Sequence, residues 1–184
     1  MTVICAEGWL QDAERVPSPN YGPRPEESDI SLLVVHNISL PPGQYGGGYI
    51  QQFFQNRLST DVHPYFAEIK GLQVSSHLLI ERSGHLVQFV PFSQRAWHAG
   101  VSVFGGRDNC NDFSIGIELE GTDDSPYTAQ QYDILAKTAV SLMQYYPGIT
   151  PERIVGHCDI APGRKTDPGA AFDWALFRRL LEQV

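Results

Sequence analysis

The chain has only three cysteines in 184 residues: Cys5, Cys110 and Cys158. The number is odd and the spacing includes no C-x-x-C pair, so neither a disulfide framework nor a dithiol redox motif is present. Reduced thiols in a reducing compartment are the simplest reading. The chain also lacks any apolar run near the roughly 18 residues that a membrane-spanning helix needs. Its first ten residues have neither the basic start nor the long apolar stretch of a secretory signal. The expectation is therefore a cytoplasmic protein. Basic residues are scarce, with 13 Lys and Arg against 21 Asp and Glu, a net charge of −8. Without a run of Lys and Arg there is no face for nucleic acid, and the anionic balance argues against an electrostatic membrane anchor. No repeat, low-complexity tract or linker interrupts the sequence. Its length fits one domain able to bury a core without staples.

What is present is a set of short elements separated by long polar loops. Residues 1–31 read as an irregular leader, rich in Pro, Asn, Gly and acids from residue 11 on. Leu32-Leu33-Val34-Val35 is a short apolar run of the kind found in buried strands, with His36 at its end. Tyr49, Ile50, Phe53 and Phe54 share one face of a predicted helix over 49–57. A loop over 58–75 follows, then two strands, 77–81 and 86–90, joined by a Gly-containing turn. A polar stretch over 91–112 leads to a strand over 113–119, where Phe113, Ile115, Ile117 and Leu119 alternate with Ser114, Gly116 and Glu118. The spacing predicts a helix over 128–145 with Thr128 as N-cap, a helical turn at 151–154, and a last amphipathic helix over 172–182. These elements imply an α/β domain, a central mixed sheet flanked by α-helices.

Six histidines, at 36, 63, 77, 85, 98 and 157, are candidates for chemistry. His85 sits in a hairpin turn and reads as a surface residue. His36 ends an apolar strand, where α/β sheets expose ligand-binding groups. His157 opens a Pro/Gly-rich loop that also carries Lys165 and Asp167. Asp167 precedes Pro168, which favours extended backbone, and residues two apart on an extended chain project to one side. Lys165 and Asp167 are thus expected to point together. Should His36, His157 and Asp167 meet, two imidazoles and a carboxylate would make a three-ligand zinc site with a fourth position open. Cys158 is a rival ligand, although consecutive residues rarely aim at one metal. Glu118 and Glu120 share the face of the third strand that carries small residues. A carboxylate there suits proton transfer, and Lys165 could stabilise an oxyanion. A Glu118–Glu120 glycosidase pair and a cysteine hydrolase built on Cys110 or Cys158 remain open on these grounds.

Several motifs in order carry a resemblance. Val34-Val35-His36-Asn37-Ile38-Ser39, Ser75-Ser76-His77, Arg95-Ala96-Trp97-His98-Ala99-Gly100, the run from Asn111 to Gly121, and the segment from Gly156-His157 to Asp167-Pro168-Gly169 resemble the type 2 N-acetylmuramoyl-L-alanine amidase family. Gly8-Trp9-Leu10 and Val16-Pro17-Ser18-Pro19-Asn20 extend the likeness into the leader. The resemblance implies the amidase/peptidoglycan-recognition fold and one Zn2+ per chain, held by His36, His157 and Asp167. It implies catalytic roles for Glu118, Lys165 and Tyr65. It makes Asn37, Trp97, His98, Arg107 and Arg164 candidates to line a sugar and peptide pocket. The substrate implied is a small anhydromuramyl peptide, cut between its lactyl group and L-alanine during peptidoglycan recycling. The partner is thus a muropeptide rather than nucleic acid or membrane, and a monomer is expected. A periplasmic amidase acting on polymeric wall and a non-catalytic peptidoglycan-recognition module are the alternatives on the same fold.

Overall fold

A computed structural model describes residues 3–184; of the leader, Met1 and Thr2 lie outside the described residues. In chain order the strands are β1 (Glu14–Arg15), β2 (Tyr21–Pro23), β3 (Leu32–Ile38), β4 (Leu78–Ile80), β5 (Leu86–Gln88), β6 (Gln94–Ala96), β7 (Val103–Phe104), β8 (Arg107–Asp108), β9 (Ser114–Glu120) and β10 (Ile154–Gly156). The α-helices are α1 (Tyr49–Phe54), α2 (Pro64–Glu68), α3 (Ala129–Tyr145), α4 (His157–Ile160) and α5 (Trp174–Leu181). Six strands form one mixed sheet in the order β1-β5-β4-β9-β3-β10. Every pairing in it is parallel except β4 with β5.

The two central strands explain the architecture. Leu32 to Val35 of β3 are fully buried, and all seven residues of β9 are buried, Glu118 and Glu120 least completely. Strands flanked by parallel neighbours are covered on both faces, which accounts for the unbroken apolar run that opens β3. Burial of each such aliphatic side chain is worth about 1.5–3 kcal/mol. On one face Leu33, Val35, Ile115, Ile117 and Leu119 pack against Leu135, Ala139 and Leu142 of α3 and Phe177 of α5. The opposite face has two smaller clusters. Leu79, Val87 and Phe89 meet Phe53, Phe54 and Phe66 of α1 and α2, while Leu32 and Val34 meet Ala99, Cys110, Phe113 and Ile160. The register pairs Leu32 with Ser114, Val34 with Gly116 and His36 with Glu118. A polar strip therefore runs out between the two clusters along this second face.

Thr128 caps α3 as the sequence implies. Its hydroxyl accepts from the Gln131 amide while Gln131 accepts from the Thr128 amide. The buried Gln131 side chain also donates to the carbonyls of Ile80 and Glu120, tying the helix start to the ends of β4 and β9. Elsewhere two helices are shorter than expected, α1 ending at Phe54 and α5 spanning Trp174–Leu181, while the strand expected over 113–119 lies one residue later, at Ser114–Glu120. The supposed loop over 58–75 contains α2, which has Pro64 in its first turn and the His63 imidazole accepting from the Tyr65 amide. The leader is also not irregular throughout. β1 adds to the sheet beside β5 and β2 pairs with β6. Arg24 then donates to the carbonyls of Phe92, Asn111, Asp112 and Ser114. Two- and three-residue strands have no hydrophobic period to read.

Candidate active site

β3 and its parallel neighbour β10 bring two imidazoles side by side. Gly156 pairs with Val35, so His157, the next residue and the first of α4, comes level with His36. Both are almost wholly buried, at 1% and 3% exposure. Asp167 arrives from the loop after α4 and directs Oδ2 between them. His36 Nδ1 lies 3.0 Å from His157 Nδ1 and 3.1 Å from Asp167 Oδ2, and His157 Nδ1 lies 3.0 Å from the same oxygen. Tetrahedral ligands about 2.0–2.1 Å from a zinc ion stand roughly 3.3 Å apart, so the triangle needs to open by only about a few tenths of an ångström.

Proton positions strengthen the fit. His157 Nε2 lies 3.0 Å from the carbonyl oxygen of Ala99, which can only accept, so the imidazole carries its proton there and turns the Nδ1 lone pair to the centre. His36 Nε2 lies 2.9 Å from His98 Nδ1, and His98 Nε2 lies 3.1 Å from Ser114 Oγ. A proton on each Nε2 satisfies this chain throughout and leaves the His36 Nδ1 lone pair inward as well. Burial pushes His36 down to about 4, against the opposing pull of Asp167, which keeps it neutral at pH 7. Asp167 turns Oδ2 toward the same two Nδ1 atoms, where neither imidazole has a proton left to donate. Three lone pairs, one of them on a carboxylate, thus converge on a single point, an arrangement that calls for a cation. Among the described residues these three form the group able to hold a metal ion. Cys158 is outside it: burial raises that thiol, and its backbone amide donates to the Asp167 carbonyl.

The triad opens into a cavity of about 670 Å3. Glu118, beside His36 in register, lines it at 8% exposure. Its Oε2 is buried without a hydrogen-bond partner. Burial, reinforced by the charge on Asp167, raises Glu118 well above the usual carboxylate range, while Lys165 pulls it the other way. A carboxyl raised in this way holds a proton more strongly, which suits proton transfer. Lys165 and Tyr65 line the same cavity, as does Trp97. Glu120 accepts instead from the amides of Gly46 and Arg82, so it fastens two loops and does not pair with Glu118 across a substrate. Cys110 is fully buried among apolar side chains and burial raises its thiol, which leaves it a poor nucleophile.

The remaining pocket candidates behave differently from one another. Asn37 lines the cavity, yet its amide nitrogen is taken by Asp123 and the Pro168 carbonyl. His98 also lines it but stands behind His36. Its ring lies over Gly116, where a Cβ would come within 2.5 Å of it. Arg164 borders the cavity and donates to the carbonyls of Ala99 and Val101, bracing the segment that orients His157. Arg107 corrects the expectation for it. It does not line the cavity; its guanidinium bonds both oxygens of Asp29 and lies over the Phe113 ring. Sequence reasoning missed the Ala99 carbonyl, Ser114 and Asp123. Strand alternation placed Ser114 on the Glu118 face, but a backbone carbonyl and a loop aspartate carry no such signal.

Comparison with known proteins agrees with this geometry. The N-acetylmuramoyl-L-alanine amidase family profile matches residues 26–170. The chain is 56% identical over 181 residues to the 1,6-anhydro-N-acetylmuramyl-L-alanine amidase AmpD of Escherichia coli K12, covering 98% of each. A crystal structure of a selenomethionine AmpD derivative superposes with a TM-score of 0.93 at 57% identity, covering 97% of this chain and 99% of that one. The Escherichia coli amidase AmiD, solved with the substrate anhydro-N-acetylmuramic acid-L-Ala-D-γ-Glu-L-Lys, matches at a TM-score of 0.61 and 31% identity, over 96% of this chain and 65% of AmiD. The family match, the near-complete relatives and the shared fold together mean that the chain belongs to the N-acetylmuramoyl-L-alanine amidase family.

Proposed function

We propose that this amidase hydrolyses, with zinc, the amide between the lactyl group of 1,6-anhydro-N-acetylmuramic acid and L-alanine of the stem peptide. We place the reaction in cytoplasmic peptidoglycan recycling. The observation that carries the reading is the convergence of the His36, His157 and Asp167 lone pairs beside the partnerless Glu118 oxygen. The names of near-full-length relatives and the ligand of AmiD support the substrate class. Three free cysteines suit a reducing compartment.

His36, His157 and Asp167 would hold the zinc, which when bound acidifies water and polarises a carbonyl. Glu118 takes the proton of the attacking water at its raised carboxyl and returns it to the departing alanine nitrogen. Lys165 supplies positive charge where the carbonyl oxygen becomes negative, with the Tyr65 hydroxyl as a second donor to that oxygen. Trp97 offers an apolar face beside the reacting centre, and Arg164 a guanidinium at the cavity rim. Mass-spectrometric product analysis tests the reading: anhydromuramyl tripeptide should give free tripeptide and anhydromuramic acid, and chelator should stop it. Hydrolysis unaffected by chelator, or cleavage elsewhere in the substrate, would overturn it. Fractionation of cells, with intact sacculi as a second substrate, tests the cytoplasmic part.

A further inference from the structure

We infer that Asp123 is a positioning residue that joins the neighbours of two metal ligands and so sets the distance between His36 and Asp167. Asp123 lies in the turn after β9 and is outside the ligand group. Its Oδ1 accepts from Asn37 Nδ2 at 2.8 Å and its Oδ2 from Thr166 Oγ1 at 2.5 Å. Asn37 directly follows His36, and Thr166 directly precedes Asp167. One carboxylate therefore bridges the strand that carries one ligand and the loop that carries another. Its backbone takes part too, since the Asp123 carbonyl accepts from the Ala171 amide at 2.9 Å.

The far side of Asp167 is held by the same group of residues. The Pro168 carbonyl accepts from Asn37 Nδ2 at 3.2 Å and from the Tyr127 hydroxyl at 2.7 Å. Gly169 stands at φ +81°, and a Cβ there would come within 2.2 Å of the Asp123 Cα, so the two backbones touch. These crosslinks matter because packing holds only the end of the segment, at Pro168 and Gly169. Residues 162–166 are exposed; their backbone bonds run to the local carbonyl of Ala161, and apart from the Thr166 bond the Arg164 side chain is what reaches outward, to the carbonyls of Ala99 and Val101. Outer partners of metal ligands typically govern metal affinity by about 10–100-fold. Asn37 and Tyr127 thus act with Asp123 on the loop.

The inference rests on the metal reading of the triad, and the test separates the two. Zinc affinity is measured by competition with a chelating dye for the parent, Asp123→Ala, Asp123→Asn and Thr166→Val, alongside melting of each metal-free protein. Asp123→Ala should raise the apparent zinc Kd about 10–100-fold. Asp123→Asn keeps an acceptor for Asn37 and a donor for Thr166 Oγ1, so it should restore affinity to within about threefold. A merely structural role would lower the melting point of Asp123→Ala and leave zinc affinity of the folded protein unchanged, which would overturn the inference. If Asp123→Ala fails to fold, Thr166→Val decides, since it removes the hydroxyl that donates to Asp123 Oδ2: weaker zinc binding supports the inference and unchanged binding overturns it. A parent that binds no zinc would overturn the metal reading itself.

Discussion

Two halves of the site reach the same cavity by different physical means. His36 and Glu118 stand on adjacent parallel strands, in register, with their backbones held by ladder hydrogen bonds and their flanks by buried aliphatic residues. Asp167 and Lys165 come from an exposed loop with no ladder and little packing, fixed by crosslinks from Asn37, Asp123 and Tyr127. His157 bridges the halves: it follows a strand, but the Ala99 carbonyl of a loop sets its ring. The strand half gains its accuracy from the fold as a whole. The loop half depends on a few polar side chains, each of which can be removed singly. Damage to the strand half should therefore cost stability together with function, while damage to the loop half should cost metal or turnover with the fold intact.

The largest effect expected tests the reacting group on the strand. Glu118→Gln should lower kcat by about 10²–10⁴-fold and leave the zinc content of the protein unchanged. Turnover close to the parent's in steady-state kinetics would remove Glu118 from the mechanism. On the loop side, Lys165→Ala should reduce kcat by about 10²–10³-fold with the melting temperature unmoved, because the side chain is exposed. A large loss of stability in that variant would break the contrast between the halves.

Acid sharpens the comparison next. The folded value of His36 is about 4, below its ordinary 6.5. Between those two values the unfolded chain binds a proton that the folded chain refuses. The contribution is fully present above pH 6.5 and is lost as pH falls toward 4, about 3 kcal/mol for His36 alone. His77 and His98, also pushed down by burial, act in the same direction. Denaturant titrations at pH 7 and pH 4.5 of the zinc-free Glu118→Gln protein, which lacks the raised carboxyl that acts in the opposite direction, should show this fall, and equal stability at the two pH values would contradict the burial of neutral imidazoles. Gly116→Ala, which forces a methyl against the His98 ring, should cost about 1–3 kcal/mol and weaken zinc binding with it; a fully stable variant would show that the ring has room to move. The smallest effect belongs to Arg107→Ala. Loss of its exposed pair with Asp29 should change stability by less than about 1 kcal/mol and leave kcat/KM within error of the parent.

The same contrast explains what was legible in the sequence. The strand half was readable because period-two alternation puts Ser114, Gly116 and Glu118 on one face and an apolar run marks the strand ending near His36. α3 was readable because its cap and its period agree, at Thr128 and Gln131. In the loop half, Pro168 and the two-residue spacing point Lys165 and Asp167 together, but only the family motif ties them to His36 and His157. Asn37 and His98 line the cavity as expected of pocket residues, but the chain order cannot show that each also bonds a neighbour of the metal site. Arg107 was misplaced because an ion pair between residues 29 and 107 depends on the whole topology. The short strands of the leader are not legible because two or three residues carry no hydrophobic period and their ladder partners lie far along the chain.

The central claim is that His36, His157 and Asp167 gather one metal ion on which the chemistry depends. Zinc bound per folded chain, measured by elemental analysis on samples also assayed for hydrolysis, tests it most directly. The account predicts one zinc in the active parent, one in the inactive Glu118→Gln protein, and a marked deficit with lost activity in Asp167→Ala. An Asp167→Ala protein with a full zinc complement, or a zinc-free parent that still cleaves anhydromuramyl peptide, would contradict it.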